Sequence, residues 1–207
     1  PLVLLGASIL WFGWFGFNTG VYGADEGQTS LIFFNTLITP AAALIGWIVV
    51  ETFRDGKATA VGAASGIVTG LVAITPACAF VTPLWAIVLG IVSGVACALA
   101  VDLKFKRGYD DTLDVVGIHL VAGFIGCVYI GLFGSEALTG GSLFFGGETD
   151  LLMAQILSSL TIIVFSFVVA FAIGFGIEKT IGFRVTEEEE VAGIDSVLHG
   201  NEGYQLD

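Results

Sequence analysis

The lengths of the uncharged segments most narrowly limit what this chain can fold into. Residues 58–101 form a run of 44 positions without one charged side chain. Four further uncharged runs are each about as long as one membrane crossing, namely 1–24, 27–50, 115–135 and 151–177. An α-helix needs about 20 residues to cross the hydrocarbon of a bilayer. The run of 44 is therefore long enough for two crossings, with Pro76 and Pro83 at the expected turn between them.

Six membrane-spanning helices are predicted from these runs. They cover roughly residues 2–20, 29–51, 59–75, 83–104, 113–134 and 150–180. A β-barrel is excluded because the segments do not alternate apolar and polar side chains. A soluble domain is excluded because 56% of the residues are hydrophobic and only 13% are charged. The predicted fold class is an all-α membrane protein, with a helical membrane domain over residues 1–183 and an acidic tail over 184–207.

Basic residues occur only in alternate loops. All seven follow the second, fourth or sixth span, at Arg54, Lys57, Lys104, Lys106, Arg107, Lys179 and Arg184. The positive-inside rule therefore predicts a multi-pass protein of the cell membrane with both ends of the chain in the cytosol. The opposite loops carry only acids, among them Asp25, Glu26 and Glu136. These acids either gather cations at an outer mouth or merely mark the outer side.

Overall charge and cysteine use exclude several classes of function. The net charge of −12 argues against nucleic acid as a partner. Three cysteines in apolar runs are expected to be packing residues, and we expect no cofactor and no metal site. The spans hold no Ser/His, paired-Asp or HExxH arrangement, so an enzyme is not predicted.

Since Pro1 begins an apolar span without a polar flank, we expect a carboxy-terminal part of a longer protein.

Small residues recur on one side of four predicted spans. They are Gly6, Gly13, Gly16 and Gly20 in the first span, Gly62, Gly66 and Gly70 in the third, Gly90, Gly94 and Ala98 in the fourth, and Ala122, Gly123 and Gly126 in the fifth. Small side chains let helix backbones approach closely where lipid gives no hydrophobic drive for association. The pattern predicts a tightly packed bundle.

His119 is the only histidine inside a predicted span. It lies on the same helix side as Gly123 and Gly126, so we expect it to point into the bundle. An ionisable residue within the membrane is a functional candidate, and a neutral imidazole could line a path for a small polar molecule. The alternative is a neutral histidine bonded to a neighbouring helix. Asp114 is expected in the first turn of the same helix, where the dipole favours an acid, with a role at a pore edge as the alternative.

The first span carries an apolar and aromatic stripe. Leu10, Trp14, Phe17 and Val21 are spaced by four, three and four residues and share one face. Aromatic faces on such a stripe could hold a cation. The alternative is that the stripe contacts the core or the lipid.

The tail after Arg184 contains seven acids and no base. Thr186 and Glu189 have the spacing of a capping box, which would begin a short helix. Composition alone favours a solvated acidic tail.

Several motifs resemble one known family. Residues 14–18 (Trp-Phe-Gly-Phe-Asn) resemble the sixth span of the ammonium transporter (Amt/Mep/Rh) family, and residues 75–78 (Thr-Pro-Ala-Cys) resemble the turn after its eighth span. Residues 114–119 resemble its tenth span, with the second histidine of the family's pair. The tail is similar at Arg184-Val185, Glu187 to Glu190, Gly193-Ile194-Asp195, His199-Gly200 and Tyr204. The resemblance extends over the whole chain and is closest to the Amt branch.

The resemblance implies that the six spans correspond to spans six to eleven of an eleven-span protein. Such proteins assemble as homotrimers in the lipid bilayer, with one narrow hydrophobic pore in each subunit. Phe17 would then belong to the outer gate, Trp14 and Leu10 would line the pore below it, and His119 would be a pore histidine with Val115 beside it. Val21 departs from the family, which often has a Ser at this recruitment position.

The function implied by the resemblance is transport of ammonium or ammonia. Ammonium would be recruited outside and deprotonated, and ammonia would pass the pore histidines. The regulatory tail, with Asp195, His199, Gly200 and Tyr204, would help to dock a P-II type signalling protein. A non-conducting ammonium sensor is the alternative.

Overall fold

Six long helices make up most of the molecule. The computed structural model describes residues 1–20 and 26–201, and no β-strand is present in those ranges. The long helices are α1 (Leu2–Thr19), α2 (Glu26–Asp55), α3 (Ala60–Ala77), α4 (Pro83–Ala100), α6 (Val121–Phe133, preceded by a π-helical turn, Val115–Leu120) and α8 (Asp150–Thr180). The shorter elements are α5 (Leu103–Arg107), α7 (Glu136–Thr139), α9 (Glu187–Ala192) and a second π-helical turn, Asp195–His199. All six predicted spans, and with them the predicted fold class, are confirmed.

The turn between α3 and α4 differs from its prediction. Pro76 lies inside the last turn of α3 and Pro83 begins α4, so the connection is residues 78–82. Buried Asn35 of α2 fixes this connection, because its amide nitrogen donates to the carbonyls of Cys78 and Val81, both at 2.9 Å. The sequence placed both prolines in the turn, since proline usually ends a helix.

α2 is the central helix of the bundle formed by α1 to α6, and glycines let its neighbours approach it. A Cβ atom added to Gly70 of α3 would lie 2.5 Å from the Cα atom of Pro40. One added to Gly90 of α4 would lie 2.5 Å from the Thr39 carbonyl oxygen, and one added to Gly94 would overlap the carbonyl of Ala43. The small-residue stripes predicted for these two spans are therefore confirmed as backbone contacts.

The first-span glycines behave differently. A Cβ atom added to Gly6, Gly13 or Gly16 would meet no atom within 4 Å among residues 1–20 and 26–201. The expectation that they form a packing stripe is wrong for this part of the chain. Instead, α1 is attached through polar side chains on another of its faces.

Pro40 lies in the middle of α2, where it removes one backbone hydrogen bond. The carbonyl that loses its partner is that of Thr36, four residues earlier. Trp11 of α1 compensates, since its Nε1–H donates to the Thr36 oxygen at 3.1 Å. Freed carbonyls in membrane helices need such a substitute donor. The compensation therefore also positions α1 against α2.

The chain divides into two compact units, residues 1–159 and 160–207. In the second unit, stacked rings run along α8, with centroids 6.1 Å apart for Phe167 and Phe171 and 6.2 Å apart for Phe171 and Phe175. Lys179 Nζ lies 5.6 Å from the centroid of the Phe175 ring. Each residue of this ladder follows the last by four positions, which places the side chains on one helix face.

The capping box predicted at the start of α9 is confirmed. The Thr186 hydroxyl accepts a hydrogen bond from the Glu189 backbone N–H at 3.3 Å, and the Glu189 carboxylate accepts from the Thr186 N–H at 2.9 Å. These bonds from Thr186 lower the pKa of Glu189 below its ordinary value of 4.5. A hydrogen bond from Arg184, at 2.5 Å, likewise lowers the pKa of Glu190. The described tail thus contains local structure up to residue 201.

We predict that Gly94→Ala destabilises the bundle, because the new methyl group must displace α4 from the Ala43 carbonyl. Overpacking of this kind costs about 1–3 kcal/mol. Thermal unfolding in detergent should show a lower midpoint. Gly123→Ala is the matched control, since its Cβ would meet only Val72 Cγ1, at 3.9 Å. Equal midpoints for the two variants would contradict the assigned contact.

We also predict that Thr186→Val frays α9, whereas Thr186→Ser, which keeps the hydroxyl, does not. Amide hydrogen exchange at Glu189 and Glu190 should accelerate in the valine variant only. Because the folded pKa of Glu189 lies below its ordinary 4.5, its contribution is present above pH 4.5 and is lost as the pH falls through that lower value. Protection that stays the same in all three proteins would contradict the capping role.

Candidate functional site

His119 lies in the π-helical turn that precedes α6, where the sequence predicted an ordinary helix. Single π-helical turns are frequent at functional sites. Asp111, not Asp114, caps this turn: its carboxylate accepts hydrogen bonds from the backbone N–H groups of Val115 at 2.7 Å and Val116 at 2.9 Å. The expectation that Asp114 supplies the acid of the first turn is therefore wrong.

Asp114 is the residue just before the turn, and its backbone has a left-handed conformation with φ of 57°. Its carboxylate accepts a hydrogen bond from Lys104 Nζ at 2.7 Å, and the same ammonium group donates to the Asp111 carbonyl at 3.0 Å. The Lys104 side chain is only 15% exposed. The short helix α5, which holds Lys104, and the start of the His119 helix are thus joined by one ion pair.

His119 lines an open groove of about 260 Å³. Leu10 of α1 and Ser65 and Val68 of α3 line the same groove. The imidazole is exposed along this groove and is not enclosed by the described residues. Of the other residues predicted to line the pore, Leu10 shares the groove with His119, whereas Trp14, Phe17 and Val115 do not line it.

The aromatic stripe of α1 has a definite geometry. The rings of Trp14 and Phe17 lie 5.5 Å apart and are tilted by 57°. Trp14 Nε1–H donates to the Thr75 hydroxyl at 2.7 Å, which fixes the indole against α3. Leu10 and Phe17 are 50% and 57% exposed, so these two side chains do not form core contacts within this chain. Val21, the fourth member of the stripe, lies outside the described residues.

Two polar contacts that anchor α1 were not predicted from the sequence. Asn18 is buried and donates to the Thr36 hydroxyl at 3.0 Å, and Trp11 bonds the carbonyl of the same residue. The signal was present, because an amide inside an apolar span needs a hydrogen-bond partner. These anchors turn the Leu10 side of α1 toward the groove.

The predicted tail residues lie in the second unit. His199 Nδ1 and Asp195 Oδ1 are 3.1 Å apart, and both side chains are exposed. Gly200 ends the short π-helical turn in a left-handed conformation with φ of 64°. Tyr204 lies outside the described residues. Across the described ranges, no three His, Cys, Asp or Glu side chains are grouped as metal ligands would be.

Comparison with known proteins gives consistent results. The profile of the Ammonium Transporter Family matches residues 1–204. The ammonium transporter of Mycobacterium tuberculosis is 46% identical over 214 residues, which cover 100% of this chain and 45% of that protein. Mep2 of Candida albicans matches with a TM-score of 0.80 and 32% identity, over 89% of this chain and 43% of that one. A structure named Sensor Amt Protein matches with a TM-score of 0.85 and 28% identity, over 94% and 48%.

The match extends from the first span to the tail, as the motifs predicted. The chain spans about half the length of the curated relatives it matches. Those relatives are transporters by name, and an enzyme was not predicted. The chain belongs to the ammonium transporter family.

Proposed function

We propose that this chain forms part of a transporter that moves ammonium or ammonia across the cell membrane. The observation that carries the proposal is the shared groove of His119 and Leu10, in a chain of the ammonium transporter family. His119, Leu10, Trp14, Phe17 and Val115 are the residues we assign to the path. It is a narrow, largely apolar path through each subunit.

The chemistry of these side chains suits a substrate that changes its charge. A bare cation is costly to carry between apolar side chains, so ammonium is deprotonated before it enters the narrow part. The rings of Phe17 and Trp14 face the arriving cation and partly replace its hydration. A neutral His119 then donates to and accepts from the uncharged ammonia that passes.

Other parts of the protein complete the path. The open side of the groove is covered by the remaining half of an eleven-span subunit, which supplies the first histidine of the family's pair. Three such subunits assemble as a homotrimer. This assembly and the missing half rest on the family resemblance and on the relatives' greater length.

We assign the basic loops to the cytosol, and with them both ends of the chain. The tail, residues 184–207, then lies at the cytosolic face, where Asp195, His199, Gly200 and Tyr204 contribute to regulation. A P-II type signalling protein is the partner that the resemblance implies there.

A sensor function is the second candidate. The similarity to a structure named Sensor Amt Protein favours it, at a TM-score of 0.85. Val21 also stands where the family often has a serine that binds the arriving ammonium. In that case the bundle binds ammonium without conducting it, and the tail signals.

We predict that the protein at its full natural length supports methylammonium uptake in a transporter-deficient host. His119→Ala should lower that uptake by about tenfold, since the loss of a hydrogen bond between neutral groups costs up to about 1.5 kcal/mol. Leu120→Ala, in the same turn, is the matched control and should change uptake little. Uptake that His119→Ala leaves unaltered would contradict the assigned role, and ammonium binding without any uptake would favour the sensor.

We predict that a cysteine at Lys57 reacts with a membrane-impermeant maleimide only from the cytosolic side. A cysteine at Thr139, between α6 and α8, should react only from the outside. The three native cysteines are first replaced by alanine, and labelling is compared in intact cells and inverted vesicles. The opposite pattern would reverse the assigned orientation.

A further inference from the structure

Lys104 makes two contacts that the path itself does not require. Its ammonium group bonds the Asp114 carboxylate at 2.7 Å and the Asp111 carbonyl at 3.0 Å. The Lys104 and Asp114 side chains are 15% and 26% exposed, so this pair is more shielded than a surface ion pair. Both partners belong to the segment that leads directly into the His119 turn.

Asp111 fixes the first turn of that helix. Its carboxylate accepts from the N–H groups of Val115 and Val116, at 2.7 Å and 2.9 Å, and more distantly from Gly117 at 3.4 Å. A carboxylate that accepts several backbone N–H bonds at a helix start stabilises it and sets its direction. Lys104 holds the backbone of this capping residue in place.

Asp114 carries backbone strain at the same point. Its φ of 57° makes it the only residue other than glycine with a positive φ among residues 1–20 and 26–201. Such a conformation is costly for a residue with a Cβ atom and persists where neighbouring contacts enforce it. The ion pair with Lys104 is one such contact, and the bond from the Ile118 N–H to the Asp114 carbonyl, at 2.8 Å, is another.

The turn is also pressed against the end of α4. A Cβ atom added to Gly117 would lie 3.0 Å from the Cα atom of Val101, so the two backbones are in contact. The Cys97 thiol lies 3.8 Å from the carbonyl of Ile118, the residue before His119. The position of the imidazole therefore depends on how α4 and the basic helix α5 hold the turn.

We propose that Lys104 is a positioning residue for His119. Through Asp111 and Asp114 it holds the turn Val115–Leu120 in its π-helical register, which directs the imidazole into the groove. Its importance to transport rests on the proposed function, whereas its control of the His119 position does not. A basic residue that served only to orient the chain in the membrane would not need either contact.

The test is Lys104→Met in the full-length protein, compared with Lys106→Met, which removes an exposed charge from the same short helix, α5. The first readout is the reaction of His119 with diethyl pyrocarbonate, followed by mass spectrometry, with His199 as the internal reference. We expect the His119 to His199 rate ratio to rise by about threefold or more in Lys104→Met only. An unchanged ratio overturns the proposal.

The second readout separates positioning from general stability. The maximal rate of methylammonium uptake per folded protein should fall by about tenfold in Lys104→Met, because a misplacement of about 1 Å can cost up to a hundredfold. Asp114→Asn keeps a residue that tolerates the left-handed conformation but removes the charge. In the double variant of Lys104→Met and Asp114→Asn, the His119 to His199 rate ratio should rise no more than in either single variant. Additive effects on the rate ratio would overturn the proposal. If the unmodified protein shows no uptake, the transport proposal fails while the rate ratio still decides this one.

Discussion

The close approach of α3 and α4 to α2 is the contact on which the other helices depend. Gly70 and Gly90 meet the α2 backbone at Pro40 and Thr39, where no larger side chain fits. This is also the point at which Pro40 interrupts the hydrogen bonding of α2. A membrane helix tolerates such an interruption only if other groups replace the lost bond. Close helix packing and the interrupted hydrogen bonding of α2 therefore coincide.

The replacement of that bond determines where α1 lies. Trp11 and Asn18 both bond to Thr36, and Trp14 bonds to Thr75, so three polar contacts hold one side of α1. Leu10 and Phe17 are then left on an exposed side. Pro40 in α2 thus has a consequence one helix away, since the bond that compensates for it helps to select which face of α1 borders the groove.

Some of these features could be predicted from sequence, and the reasons are physical. The six spans follow from the long uncharged runs, because the cost of a charge in the membrane is a local property of each segment. The stripes of α3 and α4 follow equally from spacing. The π-helical turn, the cap at Asp111 and the open surroundings of Gly13 depend on partners distant in sequence or on backbone geometry. His119 could be recognised as a candidate because an ionisable residue in an apolar span is visible in the sequence. Its position along the groove could not be predicted, because that position depends on the π-helical turn and its contacts.

Two of the basic residues from which we assign the orientation of the chain also hold helix ends together. Arg54 at the end of α2 donates to the Ala98 carbonyl of α4 at 3.0 Å and to the Asp102 carboxylate at 2.6 Å. A cation at the carboxyl end of a helix compensates its unpaired carbonyls and its dipole. Lys104 continues this series to the His119 turn. Arg54 therefore ties α2 to α4, and Lys104 ties α5 to the His119 turn, so two of the residues from which the topology is predicted also shape the geometry of the site.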